Sequence, residues 1–365
     1  MDAAAFGWLA LKGVAVAGLP LAYVAWSRDP AKFRKLAWVT AFLTLDLIMF
    51  GSFTRLTDSG LGCPDWPGCY GHSNPLSAGE PIRAAETAQP TGPVTMTKAW
   101  IEMLHRYFAM GIGFLIIMLT VQAWRRSRAD ASAPSPWLAT ATLVWVCVQG
   151  AFGALTVTMK LQPVIVTAHL LGGIVLLGLL VVLALRETPR TAVAVKARRL
   201  LPLTVAALVA LVVQIALGGW VSSNYAVLAC PDFPRCQGAW VPPMDFGHGF
   251  TLWRGLGMTG AGEMIPFQAL VAIHWTHRAF AIVAAVAIAG FIACAWRTDG
   301  LRQVARAMLI VLLLQLATGL SNVVLNWPLI AAVLHSGGAA LLVALLVVAI
   351  IRSRGTAGAK IVHPL

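Results

Sequence analysis

The sequence predicts an all-α integral membrane protein: two tandem, pseudo-symmetric four-helix bundles, preceded by an extra N-terminal transmembrane helix. Three observations predict it. Nine apolar stretches reach spanning length, basic residues cluster in alternate loops, and the chain states its motifs twice. The composition is 59% hydrophobic and 11% charged, with a mean hydropathy of +0.78. Crossing a hydrocarbon core of roughly 30 Å takes about 20 helical residues. Stretches of that length are expected near 4–26, 36–54, 99–124, 137–158, 163–186, 200–221, 267–296, 303–324 and 328–351. The first carries Lys12 and is read as a span, because it is too long and too poor in cleavage signals for a removable leader.

The net charge of +13 follows from loop chemistry and does not imply nucleic acid. Arg28, Lys32, Arg34 and Lys35 fill one connection, and Arg125, Arg126 and Arg128 the next but one. Then come Arg186, Arg190, Lys196, Arg198 and Arg199, then Arg297, Arg302 and Arg306, and finally Arg352, Arg354 and Lys360. Alternate loops lie on one side, and the positive-inside rule makes that side cytoplasmic. The C-terminus is then cytoplasmic and the N-terminus outside, as expected of a multi-pass membrane protein with nine spans. The expected division is an apolar segment and basic loop over 1–35, a first half over 36–186, a basic cytoplasmic linker over 187–199, a second half over 200–351 and a cytoplasmic tail over 352–365.

The repeat has a period of about 167 residues, too long for a solenoid and suited to a duplicated half-protein. Cys63-Pro-Asp-Trp-Pro-Gly-Cys69 returns as Cys230-Pro-Asp-Phe-Pro-Arg-Cys236. Both runs fall in long loops, about 56–98 and 222–266, that face outside, where an oxidising compartment permits disulfides. Identical spacing, with Asp65 or Asp232 inside each run, argues against incidental loop cysteines. Neither loop offers a four-ligand zinc set. Cys147 and Cys294 fall within helices and read as packing residues.

Histidines repeat as well. His105 and His169 in the first half match His277 and His335 in the second, all within apolar stretches. Ionisable residues in a membrane span mark function, and neutral imidazole is the commonest metal ligand. Counting helical rise places all four in the outer half of the membrane. Two histidines on different helices of one four-helix half suit axial ligation of a heme. Gly172-Gly173 and Gly337-Gly338 follow two of them and permit close approach of a macrocycle or of another helix. Gln149 precedes His169 by the same interval as Gln315 precedes His335. The halves are not equivalent: Glu102 lies one turn before His105, and His274 stands at its counterpart before His277. A carboxylate beside a heme can move protons or stabilise a developing cation. That asymmetry suggests a reactive first half and an electron-transferring second half. Arg106 and Arg278 are candidate contacts for heme propionates or for loop carboxylates. Arg55 is a further candidate, with Ser222 at its repeat position.

Here the residues resemble a known family. Thr54-Arg55-Leu56-Thr57-Asp58-Ser59-Gly60-Leu61-Gly62-Cys63-Pro64-Asp65-Trp66-Pro67-Gly68-Cys69 is similar to the first outer-loop signature of heme A synthase. Glu102-Met103-Leu104-His105-Arg106 matches that family's Glu-x-x-His-Arg motif, and His169, His277 and His335 stand where it has its other heme ligands. The resemblance covers about residues 36–351, and the apolar stretch before it is a departure. It implies oxidation of the C8 methyl of heme O to the formyl group of heme A, for aa3-type cytochrome oxidases. It implies heme b as cofactor between His277 and His335, and substrate heme between His105 and His169, with Glu102 in the half that does chemistry. Disulfides Cys63–Cys69 and Cys230–Cys236 are expected, as in the cysteine-pair type of the family. Heme O synthase and oxidase assembly factors are implied partners. A bis-histidine membrane cytochrome b that only transfers electrons is the rival reading. It accounts for the four histidines but not for Glu102 opposite His274, nor for the duplicated cysteine loops.

Overall fold

The computed structural model describes residues 3–188 and 195–354. Arg190 and Lys360, both counted among the basic clusters, lie outside the described residues, as does most of the expected tail. The elements are α1 (Ala3–Trp26), α2 (Lys32–Leu56), α3 (Gly79–Ala88), α4 (Met96–Ala129), α5 (Trp137–Thr158), α6 (Pro163–Arg186), α7 (Val195–Arg199), α8 (Leu201–Ser223), a 3-10 turn (Ala226–Leu228), α9 (Phe246–Gly249), α10 (Phe267–Ala295), α11 (Arg302–Val324) and α12 (Leu329–Ser353). Nine of these helices are long and apolar enough to cross a membrane. The boundary that departs most from expectation is the end of α4. That helix runs on through Arg125–Arg128, because arginine and glutamine are good helix formers and leaving the hydrocarbon does not end a helix.

Helix ends use local chemistry. Thr95 caps α4 by accepting from the Lys98 amide, and Pro163 opens α6 where no amide donor is missed. Lys32 Nζ caps α1 by donating to the carbonyls of Val24, Ala25 and Ser27. This folds α1 back antiparallel to α2. Toward the other end of α1, Lys12 Nζ reaches the first cysteine loop, 2.7 Å from the Ser73 carbonyl, and lies over the Tyr107 ring. The lysine in the first span is therefore satisfied by the cysteine-bearing loop and not by lipid.

Helix neighbours define two closed rings. In the first, α2 touches α4, α4 touches α5, α5 touches α6 and α6 returns to α2. In the second, α8, α10, α11 and α12 close in the same order. The rings meet through α2, α6, α8 and α12, and α1 lies outside against α4 and α2. Small and polar residues line the join, as expected where lipid tails remove the hydrophobic drive between helices. Ser52 Oγ bonds Ser336 Oγ at 2.8 Å, and at the repeat-related place Gly219 lies against Leu170.

The repeat extends to the backbone. Asp58, Tyr70, Lys160 and Leu161 have positive φ, and so do their counterparts Tyr225, Gln237, Asn326 and Trp327. Left-handed conformations are uncommon outside glycine, so paired occurrence marks one loop design used twice. Two contacts join a residue to its own counterpart 167 positions away. Arg55 donates to the Ser222 carbonyl, and Tyr225 Oη donates to Asp58 Oδ1 at 2.7 Å. Residues that touch their own repeat partners lie on the approximate two-fold axis.

Cys147 and Cys294 are free, but both are exposed on the outer faces of their helices. The packing expectation is corrected here. In a membrane helix the lipid-facing side is as apolar as the inside, so an apolar small residue carries no burial signal.

Candidate functional site

All four repeated histidines sit on helices that begin at the cysteine-loop end. His169 and His335 lie six residues into α6 and α12, about 9 Å along the axis. His105 and His277 are nine and ten residues into α4 and α10, about 14–15 Å along. In each ring the two histidine-bearing helices are not neighbours but diagonal partners. His105 and His169 lie across the first ring from each other, and His277 and His335 across the second.

The other two helices of each ring seat the imidazoles on glycine. A Cβ added at Gly51 would stand 3.0 Å from the His105 ring, and one at Gly218 would stand 2.9 Å from His277. Gly153 faces His169 and Gly319 faces His335, at 3.6 and 3.1 Å. Gly153 recurs as Gly319 at the same interval as His169 and His335, and Gly51 recurs as Gly218 at the interval of the cysteine loops. They were not singled out from sequence, although the period alone could have found them. The glycine pairs that were singled out do other work. Gly172 and Gly338 make room for the side chains of Gln149 and Gln315, while Gly173 and Gly337 admit Ile48 and Met49 of α2. Their role is helix packing.

Above the histidines the cysteine loops fold identically. Both pairs are bonded, with Cα–Cα distances of 4.9 Å for Cys63–Cys69 and 4.6 Å for Cys230–Cys236. Asp65 accepts from the amides of Tyr70 and Gly71, and Asp232 from those of Gln237 and Gly238. Burial is the largest single influence on Asp232 and opposes its ionisation, but the amide donors and Arg278 together hold its carboxyl below the usual range. The repeated aspartates thus build the turn.

Each loop is stapled to its ring by the residues around the first histidine. Arg106 donates to the carbonyls of Asp65, Pro67 and Gly68 and pairs with Glu102. Arg278 donates to the carbonyls of Asp232, Pro234 and Arg235. Both arginines therefore contact loop main chain, where propionates or loop carboxylates were expected. Arg55 is spent on the join between halves, with its guanidinium 3.9 Å from the Tyr225 ring centre. Glu102 and His274 are each only 4% exposed and share one task. Glu102 Oε2 accepts from the Cys63 amide at 2.8 Å, and His274 Nδ1 accepts from the Cys230 amide at 3.2 Å. Glu102 and His274 thus satisfy the same buried backbone donor in the two loops, and only the first adds a carboxylate paired with an arginine.

A family model described as cytochrome oxidase assembly protein matches residues 34–347. Over 318 residues the chain is 39% identical to a protein of Shewanella oneidensis named heme A synthase, covering 86% of this chain and 95% of that one. Proteins of the same name from Rhizorhabdus wittichii and Halalkalibacterium halodurans are 27% and 26% identical. They cover 84% and 80% of this chain, and 90% and 86% of their own lengths. The chain belongs to the heme A synthase family of cytochrome oxidase assembly proteins.

The residues present fit the group that the heme A synthase family name implies. The four imidazoles are half-buried and not sealed within the rings. Each is backed by a glycine that leaves its ring in place, and His169 Nδ1 is buried without a hydrogen-bond partner. His105 with His169, and His277 with His335, are the residues that would hold such a group, one pair in each ring. Arg254 is another residue that sequence reading missed in this family member. It is buried in the second loop, where it bonds Asn224 Oδ1 at 2.6 Å and the Met258 carbonyl at 3.0 Å. No repeat counterpart flags it, because Thr87 stands at the matching interval.

Proposed function

We propose that this multi-pass membrane protein is a heme A synthase, an oxidoreductase that converts the C8 methyl of heme O to the formyl group of heme A. The observation that carries the reading is the pair of diagonal histidine sites under two bonded cysteine loops, in a chain that matches the family over nearly its whole length. His105 and His169 are assigned to the substrate heme, and His277 and His335 to a resident heme b. Bound there, heme b supplies an electron-transfer partner for the oxidation.

The chain's own residues position and enclose. The diagonal histidines would hold the macrocycle within the rings, and the arginine staples fix the cysteine loops at that end of each ring. Glu102, one turn from His105, places a buried carboxylate in the substrate half. Such a group can stabilise positive charge that develops as an aryl methyl is oxidised, or take a proton from an attacking water. The basic ends of the helices are assigned to the cytoplasm and the cysteine loops to the outside of the inner membrane. Both disulfides belong on that oxidising side. Delivery of heme O by its synthase and hand-over to oxidase assembly factors follow from the low solubility of free heme in water.

Extraction of the bound hemes tests the reading. Protein produced together with heme O synthase should yield heme b along with heme O or heme A. Heme b alone, under every condition of substrate supply, would favour the pure electron carrier. A second expected result concerns the glycine seats. Gly218→Ala drives a Cβ into His277 and should lower the content of retained heme about tenfold, a typical effect of disturbing a ligand's support. Gly150→Ala, with nothing near the added atom, should leave it unchanged. The heme-to-protein ratio of the purified variants is the measurement.

A further inference from the structure

The two histidine sites differ in what touches the imidazoles. Thr318 Oγ1 lies 3.1 Å from His335 Nδ1 and 2.7 Å from the Leu314 carbonyl. A hydroxyl carries one proton and two lone pairs. Its proton goes to the carbonyl, so its oxygen is left to accept from an Nδ1–H on His335. That bond selects the tautomer whose Nε2 is bare, which is the atom an iron would take, and it raises the donor strength of the ring. Gln315 Nε2 donates to the His335 carbonyl at 2.6 Å and holds the same residue from its backbone side. In the same ring, Gln214 Nε2 donates to the His277 carbonyl at 3.1 Å and so holds that residue from its backbone side, as Gln315 holds His335.

The repeat places Phe152 where Thr318 stands. Its side chain cannot hydrogen-bond an imidazole. Accordingly His169 Nδ1 is buried with no partner, and the ring of His105 meets Phe50 edge-on, with centroids 5.8 Å apart. The ligand frame is duplicated, but its hydrogen-bonded support is present in one copy only.

We propose that Thr318 is a positioning residue that makes the second half a heme-retaining site, and that Phe152 at its repeat position makes the first half a heme-exchanging one. The proposal rests on the assignment of resident cofactor and substrate to separate halves. A substrate heme has to leave after each turnover. Ligands free to turn and to change tautomer let go of iron more readily than ligands held in one state. A resident heme has the opposite requirement.

The test uses the purified, heme-loaded protein. Thr318→Val keeps the side-chain shape and removes the hydroxyl. Transfer of the retained heme to excess apomyoglobin should become about tenfold faster, within the usual range for losing a ligand's hydrogen-bonding partner. The g-values of the low-spin ferric heme and its midpoint potential should shift together, and Thr318→Ser should restore all three. Phe152→Thr should act in reverse, raising the heme-to-protein ratio of protein purified after supply of heme O. A Thr318→Val protein with wild-type transfer rate and g-values, in a background where His335→Ala loses the heme, would overturn this proposal alone. A His335→Ala protein that keeps its heme would overturn the assignment of the halves as well.

Discussion

His277→Ala or His335→Ala should strip the protein of its retained heme and of the low-spin spectrum that two imidazoles impose. His105→Ala or His169→Ala should leave that spectrum and abolish formation of heme A. The expectation follows from geometry. Each ring carries its histidines on diagonal helices, so loss of one removes one of two axial ligands from one ring and none from the other. Alanine is tolerated in all four helices, and the rings are closed by neighbours other than the diagonal pair, so the fold should survive. Absorption spectra of membranes and of purified protein, with heme extraction, separate the outcomes. If the first-half variants lost the retained heme and the second-half variants kept it, the roles of the halves would be exchanged.

Glu102→Gln should give a folded protein that keeps its retained heme but forms heme A at least about 100-fold more slowly, the lower end of what a positioned proton-transfer group contributes. The substitution is informative because of what it spares. Glutamine Oε1 can still accept from the Cys63 amide, and Arg106 keeps its three loop carbonyls. The loop anchor therefore persists while the charge and the basic oxygen are lost. His274→Gln makes the matching change where the side chain accepts from the Cys230 amide, and it should leave heme A formation largely intact. Pigment analysis of both variants in one host is the comparison. Normal heme A output from Glu102→Gln would reduce Glu102 to a loop anchor equivalent to His274. By contrast, Arg106→Ala should damage the fold, because it strands a buried carboxylate, a change that commonly costs about 3–5 kcal/mol.

The membrane fold was legible because the bilayer imposes a length and a polarity on every span, and both are written in the local sequence. The nine spans lie within a few residues of the expected bounds, and the one notable extension, at α4, lies in basic sequence beyond the apolar stretch. The four histidines were legible because an ionisable side chain in an apolar stretch stands out, and because the repeat shows each pair twice. The orientation of other site residues was not legible. Glu102 and Arg106 occupy one helical face, as their spacing requires, but that spacing does not say whether the face meets a macrocycle or a loop. The structure aims it at the backbone of residues 63–68. Of the two readings open for the glycine pairs, close approach of another helix is the one the packing shows. Adjacent pairs at 172–173 and 337–338 drew attention, yet the seats for the imidazoles are single glycines on other helices.

By itself, then, the sequence determined the all-helical membrane architecture, the duplication, the histidine set and the pairing-ready cysteines. These depend on composition, period and short-range spacing, which are local properties of the chain. Only the tertiary structure decided which helices stand diagonally, which glycine lies under which imidazole and where Arg55, Arg106 and Arg278 spend their donors. It also decided that Thr318, but not Phe152, meets a histidine ring with a polar atom. Such contacts join residues tens to hundreds of positions apart, and the closing of each four-helix ring brings them together.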